Sequence, residues 1–275
     1  HQQNGALYPN SNQNPYKTPD PESLRFNSTT NQIVWSSEGE RNITNKDTIL
    51  NNPFITIIDT AGNFIEEYQL PDNILMSVEN KGPRINSVFE GLSFNKDYSK
   101  LYASVEQPLL QDGDEPDTLY KTCLSRILVF DTKTKKAIAQ FAYPLDAVAH
   151  APKPANKPKV NGISEILWLN KNQLLIMERS YSFGVFANTI KIYIADLSSA
   201  TDVSNIYSLK ESNAFKPITK QLLFNSDSLK MYVDNVEGFT FGPKLSNGKN
   251  SLLWVVDNNF SAIEQSQVFL FEIEE

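Results

Sequence analysis

The chain contains 275 residues with a formal net charge of −7, one cysteine and two histidines. The single cysteine excludes an internal disulfide, and no Cys/His set is present for a structural zinc ion. His1 is terminal and His150 lies in a Pro/Lys stretch, so catalysis that needs a well-placed imidazole is not expected. The sequence also indicates no haem or nucleotide cofactor. The acidic balance argues against nucleic acid as a partner, and no apolar run approaches the roughly 18 residues of a transmembrane helix.

The N-terminal segment, residues 1–21, is rich in Asn, Gln and Pro and shows no apolar periodicity. It is predicted to be a surface arm or linker that precedes a single domain over residues 22–275. Because the chain begins with His1 rather than Met, we interpret it as a processed product or a fragment from which a targeting signal would be missing.

Beyond the arm, short runs rich in Ile, Val, Phe and Tyr alternate with turn sequences. The runs Ile55 to Ile58 and Ile127 to Phe130 are typical, and the dipeptide Asn247-Gly248 is typical of the turns. This pattern predicts an all-β protein with many hairpins. Only the stretch from Ser204 to Leu229 is a candidate for a turn or two of helix.

A repeat of about 70 residues organises the domain. Each unit begins with Glu and alternating apolar residues, continues through a turn into a second apolar run, and ends that run with an acidic residue. A third strand follows in every unit. A fourth follows in the first three units, at Phe64 to Leu70, at Ala137 to Leu145 and more weakly at Ile206 to Leu209. The acidic pairs that bracket the first two strands are Glu22/Glu38, Glu90/Glu106, Glu165/Glu178 and Glu237/Asp257.

Repeated four-stranded units predict a β-propeller of antiparallel blades, whereas a β-sandwich with recurrent strands is the alternative. Recurrence of the acidic positions together with the apolar ones favours the propeller. Four units are visible and the last stops after its third strand, so we expect five or six blades in the complete protein, with the others preceding His1.

The acidic pairs indicate a cation site. The start of the first strand and the end of the second meet at one edge of a hairpin, so all four pairs should face the same end of the propeller. Carboxylates crowded in this way suit Ca²⁺ or another divalent cation, although acids at strand ends also cap turns for purely structural reasons. The candidate metal ligands are Glu22, Glu38, Glu90, Glu106, Glu178, Glu237 and Asp257. By contrast, Asp59, Asp131 and Asp196 precede turns and are interpreted as structural.

Several strings in chain order carry a family resemblance. They include Phe89-Glu90-Gly91-Leu92, Glu106-Gln107-Pro108-Leu109, Ser125-Arg126-Ile127, Met177-Glu178-Arg179, Asn235-Val236-Glu237-Gly238 and Asp257-Asn258-Asn259-Phe260. Through these strings the sequence resembles the phytase-like β-propeller family described as having esterase-like activity of phytase. The family's opening Gly-Gly-Leu-Ser-Gly strand and Ser-Asp-Asp turn are absent here. The resemblance implies a secreted, periplasmic or cell-envelope propeller that hydrolyses phosphate esters.

A phosphate ester would also require cations, and Arg84, Arg126 and Arg179 flank the acidic motifs. They are the candidate substrate-binding residues, unless they merely pair with neighbouring carboxylates. The candidate catalytic residues are Glu90, Glu106, Glu178 and Arg179. The loop that begins at Asp112 lacks the spacing of a calcium-binding EF-hand and is interpreted as a solvated turn.

The sequence is compatible with two functions. The first is a metal-dependent phosphoesterase that works at the acidic face. The second is a non-catalytic propeller that binds a cell-envelope protein or an upstream fragment through a face or through the 150–160 loop, since a fold alone does not define a function.

Overall fold

The computed structural model describes residues 1–274 and consists almost entirely of strands. Its only helical elements in this range are two short 3-10 turns at Asp72–Ile74 and Ser226–Leu229. In chain order the strands are β1 (Asp20–Asn27), β2 (Gln32–Glu38), β3 (Glu40–Ile43), β4 (Thr48–Asn51), β5 (Phe54–Asp59), β6 (Phe64–Glu67), β7 (Phe89–Phe94), β8 (Lys100–Val105), β9 (Cys123–Asp131), β10 (Lys136–Leu145), β11 (Lys159–Asn170), β12 (Gln173–Ser182), β13 (Thr189–Asp196), β14 (Thr219–Asn225), β15 (Asn235–Phe241), β16 (Asn250–Asp257) and β17 (Val268–Ile273).

These strands form a four-bladed β-propeller, which confirms the predicted all-β fold and excludes the sandwich. Blade 1 has the order β1-β2-β5-β6, blade 2 contains β7 to β10 and blade 3 contains β11 to β14, all with antiparallel neighbours. Blade 4 has the three strands β15 to β17, so β17 is its outer edge. The hairpin of β3 and β4 is an insertion between the second and third strands of blade 1.

The first strand of each blade lies next to the centre. Strand β7 contacts both β1 and β11, and β11 also contacts β15. The approach is close at Gly91, where a β-carbon would come within 2.7 Å of the Ile166 backbone nitrogen. The strand starts that carry the repeated glutamates are therefore grouped around the axis.

The packing of the blades explains the composition of the strands. Strand β9 is buried along nearly its whole length because blades cover both of its faces, so it is a nearly continuous apolar run. Strand β17 alternates between exposed and partly buried residues because only one face of blade 4 is covered. Buried apolar clusters join blade 1 to blade 2, blade 2 to blade 3, and blade 3 to blade 4.

Blades 1 and 4 are packed differently. Among the clusters found in residues 1–274, none contains buried residues of both blades. On blade 1 the N-terminal segment contributes Tyr8, whose ring centroid lies 6.0 Å from that of Trp35 and 6.1 Å from that of Phe54. The predicted arm thus contacts blade 1, and its last two residues, Asp20 and Pro21, already belong to β1 and pair with Glu38 and Ser37. The domain boundary proposed at residue 22 remains a prediction.

One local prediction between residues 204 and 229 was wrong, because the fourth strand of blade 3 is β14 rather than Ile206 to Leu209. The helical turn expected in this stretch is the 3-10 turn at Ser226–Leu229. The segment at 206–209 instead packs over blade 2. Leu209 is buried there with Leu124, and the carbonyl oxygen of Ile206 accepts a hydrogen bond from Arg126. Weak apolar alternation in this segment therefore reflects anchoring to another blade.

Candidate functional site

A polar cavity of about 560 Å³ lies at one end of the propeller axis. It brings together strand ends from all four blades, and the predicted acidic pairs of blades 1, 2 and 4 line it whereas the blade 3 pair does not. Its wall contains seven carboxylates and one arginine, with Pro21, Asn86, Val160 and Asn259 completing it. The charged residues are Asp20, Glu22, Glu38, Glu90, Glu106, Arg179, Glu237 and Asp257. We call this space the acidic cavity.

Breaks in strand register place the first set of carboxylates. Glu90 lies between two residues of β7 that pair in sequence with β8, so it is an extra, bulged residue, and Glu237 has the same position in β15. Glu22 lies in a similar irregularity of β1. Bulges commonly redirect a side chain at the end of a sheet. Here they accompany three glutamates that line one cavity.

The second set of carboxylates comes from the ends of the second strands. Glu38 pairs with Asp20, and Asp257 pairs with Asn235. Glu106 directly follows β8, and its backbone N–H donates to the carbonyl oxygen of Val88. Asp20 was not among the predicted ligands, although its position opposite Glu38 in the first hairpin is the signal that could have identified it.

Blade 3 contributes an arginine where the other blades contribute acids. Arg179 pairs with Gly162, and the bulged residue of β11 is Ser164. Arg179 therefore has the position that Glu38, Glu106 and Asp257 have in the other blades. The predicted pair Glu165/Glu178 is displaced by one residue from this register.

Glu178 lies outside the acidic cavity and is fully buried. Its carboxylate accepts hydrogen bonds from the Tyr143 hydroxyl at 2.8 Å, the Asn161 amide at 2.8 Å and the Asp146 N–H at 3.0 Å. It also forms an ion pair with Lys220. These partners occupy both of its oxygens. Glu178 therefore has a structural role here, and not the role of metal ligand or catalytic residue that was expected from the sequence.

Glu165 is also directed elsewhere. Its carboxylate lies 2.5 Å from the Arg25 guanidinium, which links blade 3 to blade 1, and it is 4% exposed. Burial raises the pKa of Glu165 to about 7, against the lowering effect of Arg25. The contact is an ion pair between blades, and Glu165 is not a member of the cavity wall.

Burial and like charge raise the pKa values of the blade 1 carboxyls. The pKa of Glu22 is about 9, raised first by burial and then by Glu38, Asp20 and Glu237. The pKa of Glu38 is about 8, raised by burial and neighbouring acids although the Val88 N–H donates to it. At neutral pH these two carboxyls therefore hold protons that a cation would displace.

The opposite wall combines two acids with Arg179. Burial raises the pKa of Glu106 to about 7, with Arg179 and a hydrogen bond from Ser87 opposing the shift. Burial also raises the pKa of Glu90 well above its ordinary value. Arg179 forms an ion pair with Glu237 and lies 3.6 Å from a carboxylate oxygen of Glu106. Three acids compensate a single positive charge on this wall.

The donor set fits a hard divalent cation. Oxygen atoms of Asp20, Glu22 and Glu38 lie within 4.8 Å of one another. Ca²⁺ prefers carboxylate oxygens, and an ion placed here would relieve the repulsion that raises the pKa values of Glu22 and Glu38. The arrangement can therefore hold a cation, and its chemistry does not specify which one.

The other two predicted arginines lie away from the cavity. Arg84 donates to the carbonyl oxygens of Pro108 and Gly113 and forms an ion pair with Glu115. Arg126 is fully buried, with its Nε 2.6 Å from Asp112. Both arginines therefore bind neighbouring protein groups outside the acidic cavity, which is the structural alternative considered for them. The interpretation of Asp112 as part of a solvated turn was wrong, because its carboxylate is completely buried against Arg126.

The acids at the ends of the third strands keep their structural interpretation. Asp59 accepts hydrogen bonds from the backbone N–H groups of Ala61 and Asn63, and Asp131 accepts one from Thr134. These bonds stabilise the turns that follow the strands and lower the pKa values of both aspartates, with the Asn63 side chain making the largest contribution at Asp59.

Comparison with protein-family models matches residues 2–260 to the family described as "Phytase-like: Esterase-like activity of phytase". No curated protein matches the chain. Within residues 1–274 there is no helix long and apolar enough to cross a membrane.

Proposed function

The chain belongs to the Phytase-like family, and from this membership and the acidic cavity we propose that it hydrolyses phosphoric esters with the help of a divalent cation. The observation that carries the proposal is the composition of the cavity, where seven carboxylates surround one arginine at the axis. Carboxylates would hold a cation, and the arginine would bind the anionic group of the ester. No histidine lines this cavity.

The cation would be held by Asp20, Glu22 and Glu38, with Ca²⁺ as the first candidate. A bound divalent ion would supply Lewis acidity to a phosphoryl oxygen and lower the pKa of a coordinated water. Glu90, Glu237 and Asp257 line the same space and are proposed as additional ligands. Glu22 and Glu38 would release their protons when the ion binds.

Arg179 is proposed to orient the phosphoryl group. It is the only cation among the residues that line the cavity, and its guanidinium is held by Glu237 and by the Asn235 side chain at 2.6 Å. A planar, fixed guanidinium suits two phosphoryl oxygens better than a mobile ammonium does. Glu106, with a pKa of about 7, is proposed to accept a proton from attacking water near neutral pH.

The test is release of phosphate from p-nitrophenyl phosphate, with Ca²⁺ added and again after chelation. We expect turnover that depends on the ion and is lost in Glu38→Gln. The matched control is Glu79→Gln, which changes an exposed acid that pairs with Lys81 outside the cavity. Turnover that persists after chelation, or that is equal in the two variants, would contradict the proposal.

Secretion or residence in the periplasm or cell envelope is proposed from family resemblance alone. Its test is fractionation of the producing cells followed by detection of the intact protein. Recovery in the cytoplasmic fraction would contradict it.

A non-catalytic binding module is the second candidate, favoured by the exposed edge of blade 4. Val268 and Leu270 of β17 are 71% and 58% exposed, and neighbouring Val255 is 52% exposed. An exposed strand with apolar side chains can pair with a strand of an envelope protein or an upstream fragment. This function predicts a stable complex that is disrupted by Leu270→Lys, together with no hydrolysis at any cation concentration.

A further inference from the structure

A second cavity of about 430 Å³ adjoins the acidic cavity. The two share Val160, Arg179 and Asn259 as wall residues. An ester whose phosphoryl group contacts Arg179 therefore has a defined space next to it for the alcohol portion. We call this space the aromatic cavity, because Tyr181, Phe186 and Tyr232 line it.

Two of the aromatic rings that line the cavity pack against each other, and two have exposed surface. Phe186 and Tyr232 form an edge-to-face pair with centroids 5.3 Å apart and an interplanar angle of 66°. Phe186 is 76% exposed and Tyr181 is 41% exposed, so both rings have free surface for a ligand. Rings arranged around a space attract cations through their negative faces as well as apolar groups.

The charges in the wall of the aromatic cavity favour a cationic ligand group over an apolar one. Asp234 and Glu264 line the wall, and Arg179 is the only cation there. Asp234 is 6% exposed, and its side chain accepts hydrogen bonds from the Tyr232 hydroxyl at 2.8 Å and the Gln265 N–H at 2.8 Å. Glu264 accepts from the Asn259 side chain at 2.8 Å. These neutral donors leave both negative charges uncompensated.

We propose that the aromatic cavity binds the alcohol portion of the substrate and selects a phosphate monoester whose alcohol carries an alkylammonium group. The inference deepens the proposed function, on which it rests for the position of the phosphoryl group. The ammonium group would lie among the aromatic rings and near Glu264, while Arg179 holds the phosphate. A second phosphate would meet two carboxylates and no additional cation, so a polyphosphorylated polyol is disfavoured.

The experiment compares kcat/KM for phosphocholine, for its neutral isostere 3,3-dimethylbutyl phosphate, and for phytate, all with added Ca²⁺. We expect phosphocholine to be preferred over the isostere by roughly threefold or more, since cation–π contacts at exposed sites have modest energies. Phytate should be the poorest of the three. Equal values for phosphocholine and the isostere, or a preference for phytate, would overturn the inference.

Two variants locate the selectivity. Glu264→Gln should lower kcat/KM for phosphocholine more than it lowers kcat/KM for the isostere. Phe186→Ala should raise KM for both esters, whereas Leu119→Ala, which removes a 73% exposed side chain outside both cavities, should change neither. Unaltered selectivity in Glu264→Gln would overturn the assignment of this carboxylate.

A binding measurement separates this inference from the proposed function. Calorimetric titration with phosphocholine and with its isostere needs no turnover. Preferential binding of phosphocholine that is lost in Glu264→Gln, without hydrolysis of any ester, would support the aromatic cavity and reject the phosphoesterase. Hydrolysis of all three esters with equal kcat/KM would support the phosphoesterase and reject the selectivity proposed for the aromatic cavity.

Discussion

Gly162 lies against Glu106 so closely that a β-carbon at residue 162 would come within 2.4 Å of the Glu106 Cγ. Gly162 also pairs with Arg179 across the blade 3 hairpin. The absence of a side chain at this position therefore allows a carboxylate of blade 2 and an arginine of blade 3 to share one wall of the acidic cavity.

Gly162→Ala is expected to displace Glu106 and to lower kcat for p-nitrophenyl phosphate about a hundredfold, the lower end of what a positioned proton acceptor contributes to catalysis. The control is Gly238→Ala, since nothing lies within 4 Å of a β-carbon there. Steady-state kinetics and thermal unfolding of both variants provide the check. Equal kcat in the two alanine variants would show that the position of Glu106 does not matter.

Arg179→Gln is expected to lower kcat/KM about a hundredfold, because it removes the single charged donor available to a phosphoryl group in the cavity. The matched variant is Arg84→Gln, which removes an arginine bound to loop carbonyls outside the cavity. Kinetics measured at saturating Ca²⁺ keep the cation site filled. A lower kcat/KM then reports the lost contact between Arg179 and the phosphoryl group. Comparable activity in both variants would rule out the role assigned to Arg179.

The stability of the protein without added cation should fall as pH rises. The pKa values of Glu22 and Glu38 are raised in the folded state from 4.5 to about 9 and about 8. Between pH 4.5 and these values the unfolded carboxyls ionise while the folded ones keep their protons, so the folded state binds more protons and loses relative stability with increasing pH.

Addition of Ca²⁺ should reverse this trend, because ion binding requires the ionised carboxylates. We expect the rise in Tm on adding Ca²⁺ to be small at pH 5 and largest near pH 9. Thermal unfolding at pH 5, 7 and 9, with Ca²⁺ and with chelator, measures it. A rise in Tm that is independent of pH would contradict the proposed ligands, and Glu22→Gln should flatten the pH dependence.

Glu178→Gln and Glu38→Gln should have opposite consequences although both remove a buried carboxylate. Glu178 is matched by Lys220 and three hydrogen-bond donors, so its loss should lower the free energy of unfolding by about 3 kcal/mol and leave Ca²⁺ affinity unchanged. Glu38→Gln should stabilise the cation-free protein at pH 9 and weaken Ca²⁺ binding. Chemical denaturation and calcium titration of each variant distinguish these outcomes. Loss of Ca²⁺ affinity in Glu178→Gln would show that Glu178 contributes to the cation site.

The sequence predicted the four blades well because each repeat combines apolar periodicity with turn sequences between the strands. Glu90 and Glu237 were placed correctly at one end of the axis since both begin a hairpin of the repeat. The offset in blade 3 was not predictable from the repeat, because it depends on which residue of β11 is bulged. That choice puts Arg179 in the cavity and directs Glu165 to Arg25.

Long-range pairing accounts for the other differences. Nothing near Arg126 in the chain shows that its partners are Asp112 and the carbonyl oxygens of residues 203 and 206. The fourth strand of blade 3 was misplaced for the same reason, since the apolar residues at 206–209 pack on a different blade. Local sequence patterns describe strands, whereas these contacts join segments that are distant in sequence.

The most direct test of cation-dependent hydrolysis is a calcium titration in which ion binding and hydrolysis of p-nitrophenyl phosphate are measured on the same sample. We predict that the rate follows occupancy of a site that includes Asp20, Glu22 and Glu38, and that Glu22→Gln shifts both curves together. Ca²⁺ binding without hydrolysis, or hydrolysis that is already maximal before the ion binds, would contradict a cation-dependent phosphoesterase at the acidic cavity.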